Sequence, residues 1–361
     1  MRYLICLLLP FFVFYTRSQL SDNLIAQHVA AGHLPVVSAD SRGTVHLVYG
    51  QDSTIYYATT SGQTTHFNQP VKVATLPGLV AGAKRGPQLA VTDQFVIVTA
   101  VNRSGDVFAY SLDRRTGQWT VARRINDVAA IAKEGFQAVA AASSSTFHSA
   151  WLDLRGDKAN KIVGTTSRDG GRTWSANQVI YRSPSGTVCE CCRVSMVAKD
   201  NDVYVQFRNW LDGSRDLYLA HSTDAGKTYK PAQKLGSGNW KLNACPMDGG
   251  TVVLSSTRPS SPGPSSSTQP LTVWRRENTL YSCRPGEPER VIATGRNVTA
   301  GSSSAGTALA WDEGGTVWLK PNDKTPVSLG KGQMASVAVT GRETVCVWEA
   351  DGQVMAATVP L

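Results

Sequence analysis

Residues Gln137 to Tyr181 read QAVAAASSSTFHSAWLDLRGDKANKIVGTTSRDGGRTWSANQVIY, and their internal order decides how the rest of the chain is read. A small-residue strand (QAVAAAS) precedes an apolar strand carrying Trp151; then come KIVGTTS, the turn SRDGGRTWS and a last strand QVIY. Short β-rich runs separated by Gly, Asp, Ser and Arg are the pattern of consecutive antiparallel strands. Outward from this segment the Trp151 strand recurs as VHLVYGQD with Tyr49, VYVQFRNW with Phe207, LTVWRRE with Trp274, ALAWDEGG with Trp311 and VCVWEADG with Trp348. A copy without the aromatic, FVIVTAVNRSGD, lies between the first two.

From Trp151 onward the aromatics step by 56, 67, 37 and 37 residues, the scale of a four-stranded propeller blade. Leading strands rich in Ala, Ser and Gly suit the innermost position, where blades converge on a central channel, and the aromatic is placed to pack between blades. The reading is an all-β propeller of four-stranded antiparallel blades. Seven blades are favoured, the last closed by a strand from the N-terminal region near LIAQHV; six result if the two short final copies share one blade.

Over 361 positions with 42% hydrophobic and 17% charged residues, the chain can bury a large core as one domain. At the N-terminus Arg2 precedes an apolar run from Tyr3 to Tyr15, with Thr16 and Ser18 at signal-peptidase spacing. Residues 1–18 are expected to be a cleaved signal, 19–361 a single domain, and the location secreted or periplasmic. No other stretch reaches the ~18 apolar residues of a membrane helix, so no membrane span is expected, and the state expected is a monomer. Loss of Arg2 and Arg17 leaves 34 basic against 27 acidic side chains. That balance suits acidic ligands such as carboxylated sugars and lacks the Lys/Arg runs of a nucleic-acid binder. Asn102-Arg-Ser104 and Asn297-Val-Thr299 are glycosylation sequons.

Two turns share the pattern S-x-D-x-G-x-T-[WY]: Ser167 to Trp174 around Asp169, and Ser222 to Tyr229 around Asp224. In such a turn the carboxylate accepts backbone N–H bonds, glycine takes a positive φ, and the aromatic packs beneath. The pair resembles the Asp boxes of the sialidase (neuraminidase) family and its Asp-box-repeat relatives, and the blade pattern extends the resemblance over nearly the whole chain. It implies that Asp169 and Asp224 are structural, on the face away from the active site. For a retaining sialidase it further implies three arginines around the sugar carboxylate, which a guanidinium grips bidentately. A tyrosine nucleophile helped by a glutamate, and an aspartate acid/base, complete that set. Here the family's early Arg-Ile-Pro is absent: Ser41-Arg42-Gly43 and Lys84-Arg85-Gly86-Pro87 stand instead, and the last tyrosine, Tyr281, falls in the fifth of the aromatic-or-equivalent copies. The segments CECCR, RNWLDGSRDLYLA and CPMDGG also resemble a group of short exported bacterial proteins catalogued as sialidase-like.

Arg155, Arg208 and Arg215 follow blade strands, and Arg193 follows a cysteine cluster, so these four are the candidate carboxylate ligands; inter-blade ion pairs or solvated loop charges are the alternative. Asp153 and Asp212 are the acid/base candidates. Cys189, Cys191 and Cys192 precede the innermost strand of the fourth copy and Cys245 that of the fifth, so the four thiols are expected to converge. In an oxidising compartment Cys245 would bond one of the three, whereas adjacent Cys191 and Cys192 are too close for an unstrained bridge. Alternatively, with Met247 alongside, the four would suit copper or zinc. Cys283 and Cys346 are expected as lone buried residues.

The leading expectation is a propeller that recognises an acidic glycan or another small acidic ligand, with or without its hydrolysis, and needs no cofactor for that. Its rivals are a thiolate copper or zinc propeller without glycosidase activity and a protein-binding scaffold.

Overall fold

The computed structural model describes residues 26–60, 66–256 and 268–361, and these form seven antiparallel sheets arranged as the blades of a propeller. Residues 1–18, assigned above to a signal, lie outside the described residues. The third blade has the order read from its sequence: Gln137–Ala141 innermost, then Phe147–Asp153, Lys161–Ser167 and Gln178–Tyr181. The other blades repeat it, the second adding the two-residue strand Gln118–Trp119. Among the described residues no helix is long and apolar enough to cross a membrane.

The innermost strands line a central channel of about 420 Å³. Their small side chains follow from crowding: a Cβ on Gly301 would stand 2.4 Å from the carbonyl oxygen of Val337 in the next blade. The second-strand aromatics fill the wedges between blades. Trp151 packs on Val101, Val107 and Ala109 of the second blade, Trp274 on Leu217 and Leu219 of the fourth, and Trp348 on Ala308 and Leu319 of the sixth. The second blade lacks the aromatic and packs Val96, Val98 and Ala100 on Val48 and Ile55 instead.

The 37-residue steps between Trp274, Trp311 and Trp348 do not merge blades. Arg296–Ser303 to Val327–Lys331 makes a complete sixth blade with tight hairpins, and Gln333–Val339, Glu343–Ala350 and Gln353–Pro360 make three strands of the seventh. The seventh takes its fourth strand from the other end of the chain: Gln27–Ala31 pairs antiparallel with Gln353–Pro360, Gln27 opposite Ala356, so the six-blade alternative does not hold.

The alternation of strand direction separates two faces. Each blade begins at the same end of the ring, so its third strand finishes at the opposite end, and there the two turns sit. Asp169 accepts from Thr173 N at 2.9 Å and from Thr173 Oγ1 at 2.6 Å, and Asp224 makes the same pair with Thr228. The loops that enter the innermost strands, and those joining second to third strands, gather on the other face.

Deleting residues 1–31 removes the closing strand and bares the edge of Gln353–Pro360. The melting temperature is expected to fall by roughly 5–10 °C and the protein to self-associate. Thermal unfolding with size-exclusion chromatography checks this; an unchanged melt and a monomeric profile would show that the ring does not depend on this closure.

Candidate functional site

On the loop-bearing face, residues 182–194 lead into the innermost strand Ser195–Lys199 and residues 235–250 into Thr251–Ser256. The first loop is pinned by backbone bonds from Val188 N to Asn160 O and from Cys189 N to Arg208 O, both 3.0 Å. The second is pinned by arginines. Arg208, 1% exposed, donates from Nε and Nη2 to Asp248 O at 3.0 and 2.9 Å, from Nη2 to Arg275 O at 2.8 Å, and from Nη1 to Arg215 O at 2.6 Å. Arg275 donates to Pro246 O at 2.8 Å and pairs with the Asp248 carboxylate at 3.0 Å. The loops also touch directly, because a Cβ on Gly249 would lie 1.9 Å from Arg193 O, so only glycine fits there.

This clamp encloses three thiols. The sulfurs of Cys189 and Cys191 are 3.6 Å apart, those of Cys189 and Cys192 3.5 Å, and those of Cys191 and Cys192 4.0 Å. All three residues are buried, and Met247 packs against them. Arg215 donates from Nη1 to Cys189 Sγ at 3.0 Å while its guanidinium lies 5.1 Å from the Trp210 ring centre. Hydrogen bonds with Cys191 and Cys192, then the nearby Arg215 and Arg208 charges, hold the Cys189 thiol far below its ordinary range. Cys191 is pushed up, chiefly by its bonds to the other two, and Cys192 chiefly by burial. The cluster thus favours one thiolate with two thiols around it.

Cys245 corrects the sequence expectation. It is exposed and stands outside the trio, none of the six cysteines being bridged. The reason is local. Arg275 holds the Pro246 carbonyl and Met247 takes a left-handed backbone (φ 53°), so the side chain delivered to the sulfurs is the thioether. Cys283 and Cys346 are lone and buried, as expected.

The four candidate arginines do not converge on one pocket. Arg155 is bound to Asp153 through Nε at 2.8 Å and Nη2 at 2.9 Å, and it reaches Asp127 and Asn177 as well. Asp153 is fully buried, its second oxygen also accepting from Trp151 Nε1 at 2.9 Å, which leaves neither oxygen free for a proton-transfer role. Arg208 gives its donors to carbonyls and Arg215 to Cys189 and Leu242 O. Asp212 is exposed in the left-handed position (φ 51°) of the tight turn Leu211–Ser214. Arg193 alone lines the channel mouth, and among the described residues its side chain has no hydrogen-bond partner.

Around Arg193 the mouth holds residues the sequence reading did not single out as a group. Lys84 Nζ donates to Asn297 Oδ1 at 2.8 Å, and Asn297 Nδ2 to Asp312 Oδ1 at 2.6 Å, while Asp248 Oδ2 accepts from Asn297 N at 2.9 Å. Burial lowers the Lys84 and Arg193 pKa values and raises that of Asp312. Asn297 is therefore a buried linker, which removes it as a sequon. Lys84 and Asn297 sit where loops enter innermost strands, a position that phasing the repeats could have flagged.

No family model matches the chain, and no curated protein does. Solved structures share its fold. An α-L-arabinanase of Penicillium chrysogenum complexed with arabinobiose is 11% identical with TM-score 0.50, over 93% of this chain and 98% of that one. The SapL1 lectin in complex with α-methyl fucoside is 12% identical with TM-score 0.52, over 83% and 97%. An intramolecular trans-sialidase from Ruminococcus gnavus is 11% identical with TM-score 0.46, over 91% and 94%. The propeller resembles the arabinanase and the lectin in architecture, and identities this low speak to the fold alone.

Arg208→Met keeps the side-chain stem but strands the carbonyls of Asp248, Arg215 and Arg275. At about 1–3 kcal/mol per unpaired buried group the loss should total on the order of 3–5 kcal/mol, read by urea unfolding. A loss under about 1 kcal/mol would mean that water or a shifted loop replaces the clamp.

Proposed function

We propose that this propeller binds a soft metal ion, Cu(I) first and Zn(II) second, through the thiolates of Cys189, Cys191 and Cys192. The observation that carries the reading is the sulfur triangle, with sides of 3.5, 3.6 and 4.0 Å. With metal–sulfur bonds of about 2.3 Å, three thiolates around one ion stand roughly 3.8–4.0 Å apart, so small outward shifts would admit it. Buried thiols packed only as apolar groups would not need Arg215 on one sulfur. Soft sulfur donors favour Cu(I) and Zn(II) over hard cations. Each thiol must give up its proton to bind as thiolate, so affinity should rise with pH.

Titration with Cu(I) against a chromogenic chelator under reducing conditions should give one equivalent per chain, and Cys191→Ser should weaken it at least about tenfold. No uptake by the wild type, or unchanged affinity in the variant, would remove this reading.

Arg193 supports a second reading, an acidic ligand at the channel mouth. A cation facing a channel beside Lys84 without a partner among the described residues could receive the carboxylate of an acidic sugar. The propellers of similar fold that are solved with arabinobiose and methyl fucoside supply a sugar precedent, not a specificity. Hydrolysis is not part of the reading, given where Asp153 and Asp212 stand. Calorimetry with N-acetylneuraminic acid and glucuronate, on wild type and Arg193→Ala, tests it. Binding weakened at least about tenfold by the substitution supports it; no heat with either sugar discards it for these ligands.

A further inference from the structure

The geometry points to Met247 as a fourth, thioether ligand that makes the three-thiol site select Cu(I) over Zn(II), an inference that rests on the thiolate reading above. The first observation is position. Among the described residues Met247 is the partly buried apolar side chain packed against Cys189, Cys191 and Cys192, and it also lines the small cavity at the channel mouth with Phe136 and Arg193. A ligand there would meet an ion arriving from the mouth before the buried thiols do.

The second observation is how firmly the position is enforced. Met247 has φ 53°, a backbone region that disfavours residues bearing a Cβ. Strain of this kind persists only where the surroundings over-determine it. Both neighbours are held: Arg275 takes the Pro246 carbonyl, and Arg208 takes the Asp248 carbonyl twice. Gly249 then packs on the Arg193 backbone where no Cβ fits. If Met247 served only to fill space, a relaxed loop with any apolar residue would do as well.

The third observation concerns competing donors. Glu190, between Cys189 and Cys191, is the nearest hard ligand in sequence, yet only the three sulfurs cluster within 4.8 Å of one another, and its carboxylate lies 3.6 Å from Arg215 Nη1. A thioether binds Cu(I) readily and Zn(II) poorly, because the softer ion favours the uncharged, polarisable sulfur. A carboxylate that does not join the three sulfurs and a thioether packed against them tilt the site towards Cu(I).

Cu(I) and Zn(II) affinities are compared, by competition with chromogenic chelators, for wild type and Met247→Leu, a change that nearly keeps volume. The expected result is Cu(I) binding weakened at least about tenfold with Zn(II) binding within about twofold. Selenomethionine protein loaded with Cu(I) should show a copper–selenium path in X-ray absorption, a readout that does not depend on how the variant folds. Unchanged Cu(I) affinity in Met247→Leu, equal losses for both ions, or no copper–selenium path would overturn the assignment while leaving the three thiolates standing. No Cu(I) uptake by the wild type would instead remove the thiolate reading, and this inference with it.

Discussion

A single buried guanidinium, that of Arg208, joins the parts on which the candidate site depends. It lies at the end of the second strand of the fourth blade, and its donors reach Arg215 O in its own blade and Asp248 O and Arg275 O of the fifth. Buried arginine is costly unless its donors are met, and here carbonyl oxygens meet them. Three carbonyls from separate segments have thereby been fixed around one planar fork, a geometry lysine could not reproduce. Because Cys189 N also bonds Arg208 O, the cysteine loop and the Asp248 loop are registered to one residue.

The propeller explains why such a clamp forms at this end of the ring. Strand alternation sends every innermost-strand entrance to one face and both Asp169 and Asp224 turns to the other. Chain length is spent unevenly on the first face. The sixth and seventh blades pass between strands by tight hairpins, whereas the long loops 182–194 and 235–250 flank the fourth blade. Backbone without strand partners must find hydrogen bonds elsewhere, and the arginines at strand ends supply them. The same residue type thus serves as mortar where the sequence pattern suggested ligand recognition.

This accounts for what was legible in the sequence. Blade count, strand order and the N-terminal closure follow from periodicity, because a strand that misplaced Trp151 or Trp348 would leave a void between blades. Burial of Cys283 and Cys346 follows from the same alternation. Side-chain direction in loops does not. Nothing in CPMDGG announces that Met247 rather than Cys245 turns inward, since that depends on the Arg275 bond to Pro246 from the next blade. Likewise Arg193 and Arg208 look equivalent in sequence, yet one faces the channel mouth and the other is sealed. Their difference arises from long-range contacts that no local pattern contains.

Charge sets what the three thiols can do. Hydrogen bonds within the trio drive Cys189 towards its anion and Cys191 away from it, burial drives Cys192 away as well, and mutual repulsion adds a smaller push in the same direction. The Arg208 and Arg215 guanidiniums both act on Cys189, enough to favour one anion but too little for three. The Glu190 carboxylate, 3.6 Å from Arg215, offsets part of that positive charge, so the balance at the sulfurs depends on the loop that carries all three cysteines. The architectural arginines thus have an electrostatic role as well: the residues that lock the loops together also favour the anion of Cys189.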